Sequence, residues 1–169
     1  MSKFIHFLGI DVSKEYFDAV VILDGNKEKL IHSQFVNDYK GIKSLCKWLK
    51  KQGSTFENTL VCLEHTGMYG KLIIKCLMIE KFSLWVEMSL KIIRSIGVQR
   101  GKNDKVDAQR IAFYAMKNVE EAVIFNAPRM EINKMRNLLS LREKLVATKA
   151  SLLRNVKELK AFDLEVARL

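Results

Sequence analysis

The sequence predicts an α/β fold in which a mixed five-stranded sheet carries helices on both faces and is followed by a long helix. Three observations lead to this prediction: a first apolar segment typical of a buried strand, the element order β-β-β-α-β-α-β, and a heptad repeat near the C-terminus. Hydrophobic residues make up 49% of the 169 residues, which is enough for a core and argues against a disordered chain.

The first three strands are predicted as an antiparallel meander. Residues Phe4–Val12 are almost continuously apolar, as in a central strand that is buried on both faces. Tyr16–Leu23 is rich in β-forming residues, and the Asp24-Gly25-Asn26 segment that follows is typical of a hairpin turn. Lys27–Val36, with weaker alternation, is predicted to return as the third strand.

Helices and strands then alternate, which favours right-handed crossovers and parallel strand pairs. Asp38–Gln52 has helical spacing of its apolar residues, with lysines on the opposite side. The elements predicted after it are strands at Thr59–Leu63 and Phe82–Val86, a helix at Tyr69–Ile79 between them, and a helix from Asn103 or Asp104 to about Asn118.

The C-terminal segment has the pattern of a coiled coil. The only proline, Pro128, closes an irregular stretch at Glu120–Ala127, so we predict an α/β domain at 1–127 and a helical segment at 128–169. The pattern still runs at the last residue, so we expect the helix to continue in a longer protein. The alternative is a long amphipathic helix that packs within its own chain. The residues that repeat every seven positions, and that we predict to mediate oligomerisation, are Leu138, Leu145, Leu152 and Leu159.

Composition excludes several classes of protein. The longest apolar runs fall well short of the roughly 20 residues that span a bilayer, and no small-residue cleavage site follows the first of them. Three widely spaced cysteines match neither a zinc motif nor a disulfide framework, so we expect buried, reduced thiols. These features predict a cytoplasmic protein rather than a secreted or membrane protein.

Positive charge is concentrated in the second half of the chain. The net charge is +10, and residues 89–117 carry seven basic and two acidic side chains. Such a segment is typical of a surface that binds nucleic-acid phosphates, although a merely solubilising surface is the alternative. The residues that we expect to contact DNA or RNA flank the acidic residues described next: Lys91, Arg94, Arg100, Lys102, Lys105 and Arg110.

Four acidic residues occupy positions where strands and helices can bring them together. Asp11 and Glu64 each lie at the end of a predicted strand, where ligands collect in α/β sheets. Asp104 and Asp107 are three residues apart and therefore share one face of a helix. Taken one by one, these residues could simply cap strands or complement a helix dipole. Together they form a cluster of hard oxygen ligands of the kind that Mg²⁺ or Mn²⁺ prefers, and two such ions can support phosphodiester transfer.

The acidic residues lie in three short segments: Gly-Ile-Asp-Val-Ser-Lys at 9–14, Leu-Glu-His-Thr-Gly at 63–67, and Lys-Asn-Asp-Lys-Val-Asp-Ala-Gln-Arg-Ile-Ala at 102–112. These segments resemble the sequence blocks of the DEDD transposases, insertion-sequence recombinases related to the Piv-type DNA invertases. Their order and spacing match the family, and the third block is the most specific. Asn103 departs from the threonine that is frequent in the family, but it can cap a helix equally well.

The resemblance implies a RuvC-like domain of the ribonuclease H type. By matching position, its catalytic and metal-binding residues are Asp11, Glu64, Asp104 and Asp107. It further implies a DNA transposase that cleaves and rejoins DNA phosphodiesters with Mg²⁺ (or Mn²⁺), guided by a structured RNA. Its partners are then the element ends and target DNA, the guide RNA and further copies of the chain. The resemblance also implies a prokaryotic protein that is associated with the nucleoid.

Members of the family are longer and end in a domain that carries an essential serine. We therefore expect this chain to hold the metal-binding half of the active site and to be incomplete for strand exchange. Two other functions fit the same pattern. One is a RuvC-like structure-specific endonuclease such as a junction resolvase, which would not need the heptad helix. The other is a non-catalytic module for nucleic-acid binding and oligomerisation, in which the acidic residues are structural.

Overall fold

A computed structural model describes residues 3–65, 67–96 and 104–160 of the chain. Within these ranges the chain forms five strands, five α-helices and one short 3₁₀ turn at Val119–Glu121. The strands are β1 (His6–Val12), β2 (Tyr16–Ile22), β3 (Leu30–Val36), β4 (Thr59–Glu64) and β5 (Ser83–Glu87), and the helices are α1 (Tyr39–Lys51), α2 (Lys71–Ile79), α3 (Ser89–Ile96), α4 (Asp104–Lys117) and α5 (Met130–Lys160).

The strands form one mixed sheet in the order β3-β2-β1-β4-β5. The β1–β2 and β2–β3 pairs are antiparallel, whereas β1–β4 and β4–β5 are parallel. The predicted meander and crossovers are confirmed. β3 begins three residues later than predicted, because the side chain of Asn26 accepts the N–H of Glu28 at 2.9 Å and ties residues 26–29 into the turn.

Both faces of the sheet are covered, as predicted. α1 and α2 pack on one face, where Leu45 and Leu77 join β1 residues such as Leu8 and Ile10 in the larger apolar cluster. α4 packs on the other face, where its alanines and Ile111 contact Trp85 and other strand residues. The side chains of one strand alternate between these two clusters, as the pleat requires.

Gly9 determines how closely α4 approaches the sheet. A Cβ atom built on Gly9 would overlap the carbonyl oxygen of Ala108 and the backbone nitrogen of Ala112, and would lie 2.9 Å from the Ala112 Cα. The backbone of α4 therefore crosses β1 directly over a residue that has no side chain. Since Ala108 follows Asp104 and Asp107 by one helical turn or less, this crossing brings the first turn of α4 toward the end of β1 that carries Asp11.

The helix α3 lies in a segment for which the sequence predicts no separate element. It is only eight residues long; Ile92 is buried, whereas Leu90 and Ile93 are exposed. Contacts from the sheet fix its start, because Ser89 donates a hydrogen bond to Glu64 and Lys91 reaches Glu87. Leu90, Ile93 and Ile96 do recur at helical spacing, but over only eight residues, which is shorter than the window in which a helix is recognised from sequence.

The chain divides into two compact units, the first ending at Phe125 and the second beginning at Asn126. The second unit contains α5, a helix of 31 residues. Every side chain of this helix from Glu131 to Lys160 is exposed. In the described part of the chain, no helix is long and apolar enough to span a membrane.

Candidate functional site

A row of acidic side chains crosses the sheet at the end where β1 finishes. Asp11 on β1 pairs with Asp18 on β2, and Glu64 on β4 pairs with Glu87 on β5. The parallel pairing of Ile10 with Leu63 makes Asp11 and Glu64 neighbours across the β1–β4 boundary. Because cross-strand partners point to the same face, all four carboxylates lie on the face covered by α4.

The outer member of the row on β2, Asp18, is fixed by hydrogen bonds. Its side chain is buried, and its two oxygens lie 2.6 Å from His32 Nε2 and 3.0 Å from Gln34 Nε2. Both partners are on β3, and Gln34 is the register partner of Asp18. Asp18 is thus held in place from the side of the sheet away from Asp11.

Glu87, the outer member on β5, is fixed in the same way. Its Oε1 accepts the Met88 N–H at 2.8 Å, and its Oε2 lies 3.3 Å from both Lys91 Nζ and the Tyr114 hydroxyl. Burial alone would raise the pKa of Glu87, but the Met88 N–H and the Lys91 ammonium outweigh it and hold the pKa below its usual value. Tyr114 belongs to α4, so this carboxylate also joins α3 and α4 to the sheet.

The two inner carboxylates, Asp11 and Glu64, are only partly buried. Glu64 accepts a hydrogen bond from the Ser89 hydroxyl, which comes from the first residue of α3. Among the described residues, no side chain donates a hydrogen bond to Asp11. The inner pair therefore retains free oxygen lone pairs, whereas those of the outer pair are engaged.

The pKa of Asp11 shows that the site concentrates negative charge. It is raised from an ordinary 3.8 to about 6, first by burial and then by the charges of Asp107 and Asp104, followed by Glu64 and Asp18. The other three carboxylates that the sequence predicts for the site thus each act electrostatically on Asp11. Asp18 adds a fifth negative charge.

Asp104 and Asp107 lie in the first turn of α4. Asp104 is exposed, and Asp107 forms an ion pair of 2.6 Å with Arg110 Nη1 on the next turn. The Nε atom of Arg110 is buried and has no hydrogen-bond partner within the described residues. One oxygen of Asp107 is therefore held by the protein, and the guanidinium is anchored beside the carboxylates.

The chemistry of this donor set fits a divalent cation with hard oxygen preference. Partly exposed carboxylates with free lone pairs surround Asp11, and their mutual repulsion favours a counter-charge. In residues 3–65, 67–96 and 104–160, no three histidine, cysteine or acidic side chains are already close enough to form a complete metal site. The carboxylates thus lie on the same face of the sheet, but their oxygens are not yet at the distances of a complete metal site.

The basic residues predicted for nucleic-acid binding have different environments. Lys91 pairs with Glu87 and Arg110 with Asp107, so both neutralise carboxylates within the chain. Arg94 and Lys105 are exposed, on α3 and α4. Arg100 and Lys102 lie outside the described residues, as does Asn103.

Three residues of the site are missing from the sequence prediction: Asp18, Glu87 and Ser89. Asp18 interrupts an otherwise apolar strand, the same signal that identifies Asp11, and Glu87 ends a strand just as Glu64 does. Ser89 gives no such signal, because only the tertiary fold brings it to Glu64.

Comparison with known proteins agrees with this architecture. The structure is similar to RuvC of T. thermophilus, solved in complex with a Holliday junction substrate, with a TM-score of 0.50 and 10% sequence identity over 72% of this chain and 99% of that chain. The RuvC-like fold that the sequence resemblance implies is therefore confirmed. No curated protein matches the chain significantly. A family model, DEDD_Tnp_IS110, described as a transposase, matches residues 8–160, and the chain belongs to this transposase family.

Proposed function

We propose that the chain is the metal-dependent catalytic domain of a DNA transposase, which cleaves and rejoins DNA phosphodiesters during insertion-sequence transposition. One observation carries the proposal: the partly exposed Asp11 lies among the negative charges of Glu64, Asp104 and Asp107. None of the described side chains donates a hydrogen bond to it. A carboxylate set of this kind is costly to the protein unless it serves a cation. Because the substrate would be chromosomal DNA, we propose that the protein acts in the cytoplasm of a prokaryotic cell.

The residues that would hold Mg²⁺ or Mn²⁺ are Asp11, Glu64, Asp104 and Asp107. When bound, the metal would stabilise the charge on the attacking and leaving oxygens of a phosphodiester. The remaining contribution comes from the chain itself. Ser89 orients Glu64, and Arg110 holds one oxygen of Asp107 and carries a positive charge beside the site. The helix α4 covers the apolar part of the same sheet face, next to the carboxylates.

The nucleic acid is proposed to bind along the exposed basic side chains beside the carboxylates. Arg94 and Lys105 are exposed on the two helices that flank the site, and Lys91 and Arg110 carry further N–H donors beyond those in their ion pairs with carboxylates. Arg100 and Lys102, which lie outside the described residues, are proposed from the sequence to contact nucleic acid as well. Membership of the family supports a structured guide RNA as a second nucleic-acid partner.

Cation binding is tested by calorimetric titration of Mg²⁺ and Mn²⁺ into the chain, alone and with a DNA duplex, since phosphates often complete Mg²⁺ sites. We expect the Asp11→Asn and Glu64→Gln variants to lose the binding heat and any metal-dependent nicking of supercoiled DNA. Asp24→Asn is the matched control, because the Asp24 side chain lies in an exposed turn, where it forms an ion pair with Lys29. Equal heats in all four proteins would reduce the chain to a binding and assembly module.

Oligomerisation is proposed to occur through α5, with a second copy of the chain as the partner. Leu138, Leu145 and Leu152 are 65%, 62% and 59% exposed, and Leu159 continues the same stripe. A helix that exposes so many leucines is not stable alone, and burying them in a seam with another helix removes that cost.

Replacing one leucine of this seam should abolish self-association. We expect the wild-type chain to sediment as an oligomer at micromolar concentration and Leu145→Glu to sediment as a monomer, because a charge in the seam loses its hydration. Ala150→Glu introduces the same charge on the opposite side of the helix and should leave the oligomer intact. A wild-type chain that stays monomeric at about 100 μM would contradict this assignment.

A further inference from the structure

The position of Asp18 is unusual both for a residue of the apolar core and for a metal ligand. It is only 4% exposed, yet it faces the same side of the sheet as Asp11 and is its direct register partner. A buried carboxylate at this position costs free energy through desolvation and through repulsion of Asp11. A neutral or apolar residue in that place would avoid both costs.

The hydrogen bonds of Asp18 define what it can do. His32 Nε2 engages one carboxylate oxygen at 2.6 Å, and Gln34 Nε2 engages the other at 3.0 Å. Each oxygen thus has a partner on β3, on the side away from Asp11. Asp18 is therefore held as a fixed group and is poorly placed to turn toward a cation.

A fixed negative charge beside Asp11 has two physical effects. It repels the Asp11 carboxylate away from β2, toward Glu64 and the first turn of α4. It also makes the local potential more negative, which attracts cations over a distance longer than a direct ligand bond. Partners that orient ligands in this way typically change metal affinity by about 10- to 100-fold when they are removed.

We propose that Asp18, anchored by His32 and Gln34, is a positioning residue that orients Asp11 and increases the affinity of the site for a divalent cation. This inference rests on the proposed function, because it assigns Asp18 a role toward the cation held by Asp11. Asp18 acts through Asp11 and is not itself a ligand.

The test is titration of Mn²⁺ into the whole chain at pH 8, with free Mn²⁺ measured by electron paramagnetic resonance. We expect Asp18→Asn, which keeps the size and loses the charge, to weaken Mn²⁺ binding by about 10- to 100-fold. Asp24→Asn makes the same change in the exposed turn after β2 and should bind as the wild type does. Thermal unfolding of each variant establishes that the affinity refers to folded protein.

Variants of the β3 anchors test the same idea from outside the core. Gln34 is exposed, so Gln34→Ala should fold normally and weaken Mn²⁺ binding several-fold by releasing one oxygen of Asp18. His32→Ala should weaken binding similarly, whereas His32→Gln retains an N–H donor and should restore most of the affinity. If Asp18→Asn does not fold, these three variants decide the question.

The outcomes separate this inference from the proposed function. If Asp11→Asn abolishes Mn²⁺ binding while Asp18→Asn, Gln34→Ala and His32→Ala bind within twofold of the wild type, Asp18 is merely a buried structural group. The inference then fails and the proposed function stands. If the wild type binds no Mn²⁺, alone or with DNA, both are overturned.

Discussion

Replacing Gly9 with alanine is expected to destabilise the first unit by about 3 kcal/mol or more. The added Cβ would overlap backbone atoms of Ala108 and Ala112, and backbone cannot move aside as a flexible side chain can. The whole of α4 must therefore shift away from β1, which opens its apolar contacts with the sheet. Urea unfolding monitored by far-UV circular dichroism measures the loss.

Gly25→Ala is the matched control for this prediction. It adds the same methyl group at a glycine with nothing within 4 Å, so that only its positive φ of 61° is penalised, at about 1 kcal/mol. The difference between the two variants isolates the overlap with α4. A loss below about 1 kcal/mol for Gly9→Ala would mean that α4 does not cross β1 as closely as described.

The same substitution should also weaken the site in molecules that still fold. Asp104 and Asp107 precede Ala108 on α4, so a helix displaced from Gly9 carries both carboxylates away from Asp11. Stability and cation affinity are thus linked through one residue that has no side chain.

The second large effect expected is a gain of stability when Asp11 is neutralised. Burial and the surrounding carboxylates raise the pKa of Asp11 from 3.8 to about 6, so its ionised form is disfavoured in the folded chain. This difference corresponds to about 3 kcal/mol, and to about 1–2 kcal/mol after allowance for solvent screening, since Asp11 is partly exposed. Without metal at pH 8, Asp11→Asn should therefore unfold roughly 3–10 °C above the wild type.

The sign of the pH dependence follows from the direction of the pKa change. Between about pH 4 and 6 the folded chain keeps a proton on Asp11 that the unfolded chain releases, so folding is favoured at low pH. This contribution is complete below about 3.8 and is lost as the pH rises through about 6. The stability gap between wild type and Asp11→Asn should accordingly close below about pH 4.

Added Mn²⁺ should reverse the order of stability. Cation binding stabilises only the folded chain that can bind it, so the wild type gains stability while Asp11→Asn does not. An Asp11→Asn variant that is less stable than the wild type in metal-free buffer at pH 8 would show that Asp11 is a structural residue.

Strand ends were the part of the site that could be predicted from sequence. An acidic residue that closes an apolar strand, such as Asp11 or Glu64, is costly enough to stand out without any knowledge of its neighbours. The helix face that carries Asp104 and Asp107 is likewise set by local spacing. Both are properties of a single strand or helix, and such properties can be predicted from the local sequence alone.

The rest of the site depends on register between elements. Asp18 becomes part of the row only because β2 pairs with β1 so that it lies opposite Asp11, and a slip of one residue would turn it to the other face. Ser89 reaches Glu64 only because β5 and β4 are adjacent and α3 begins immediately after β5. Long-range pairing of this kind leaves no periodic trace in the sequence.

Cys62 gives the crossing of α4 over β1 a further consequence. Its thiol is fully buried, its residue pairs with Gly9, and burial together with the charge of Glu87 raises its pKa. A modifying reagent can reach this thiol only while α4 is lifted from the sheet, whereas Cys76, partly exposed in the cluster on the opposite face, is accessible without that motion. The rate at which Cys62 is modified, compared with that of Cys76, therefore measures how often α4 separates from the sheet and takes Asp104 and Asp107 away from Asp11.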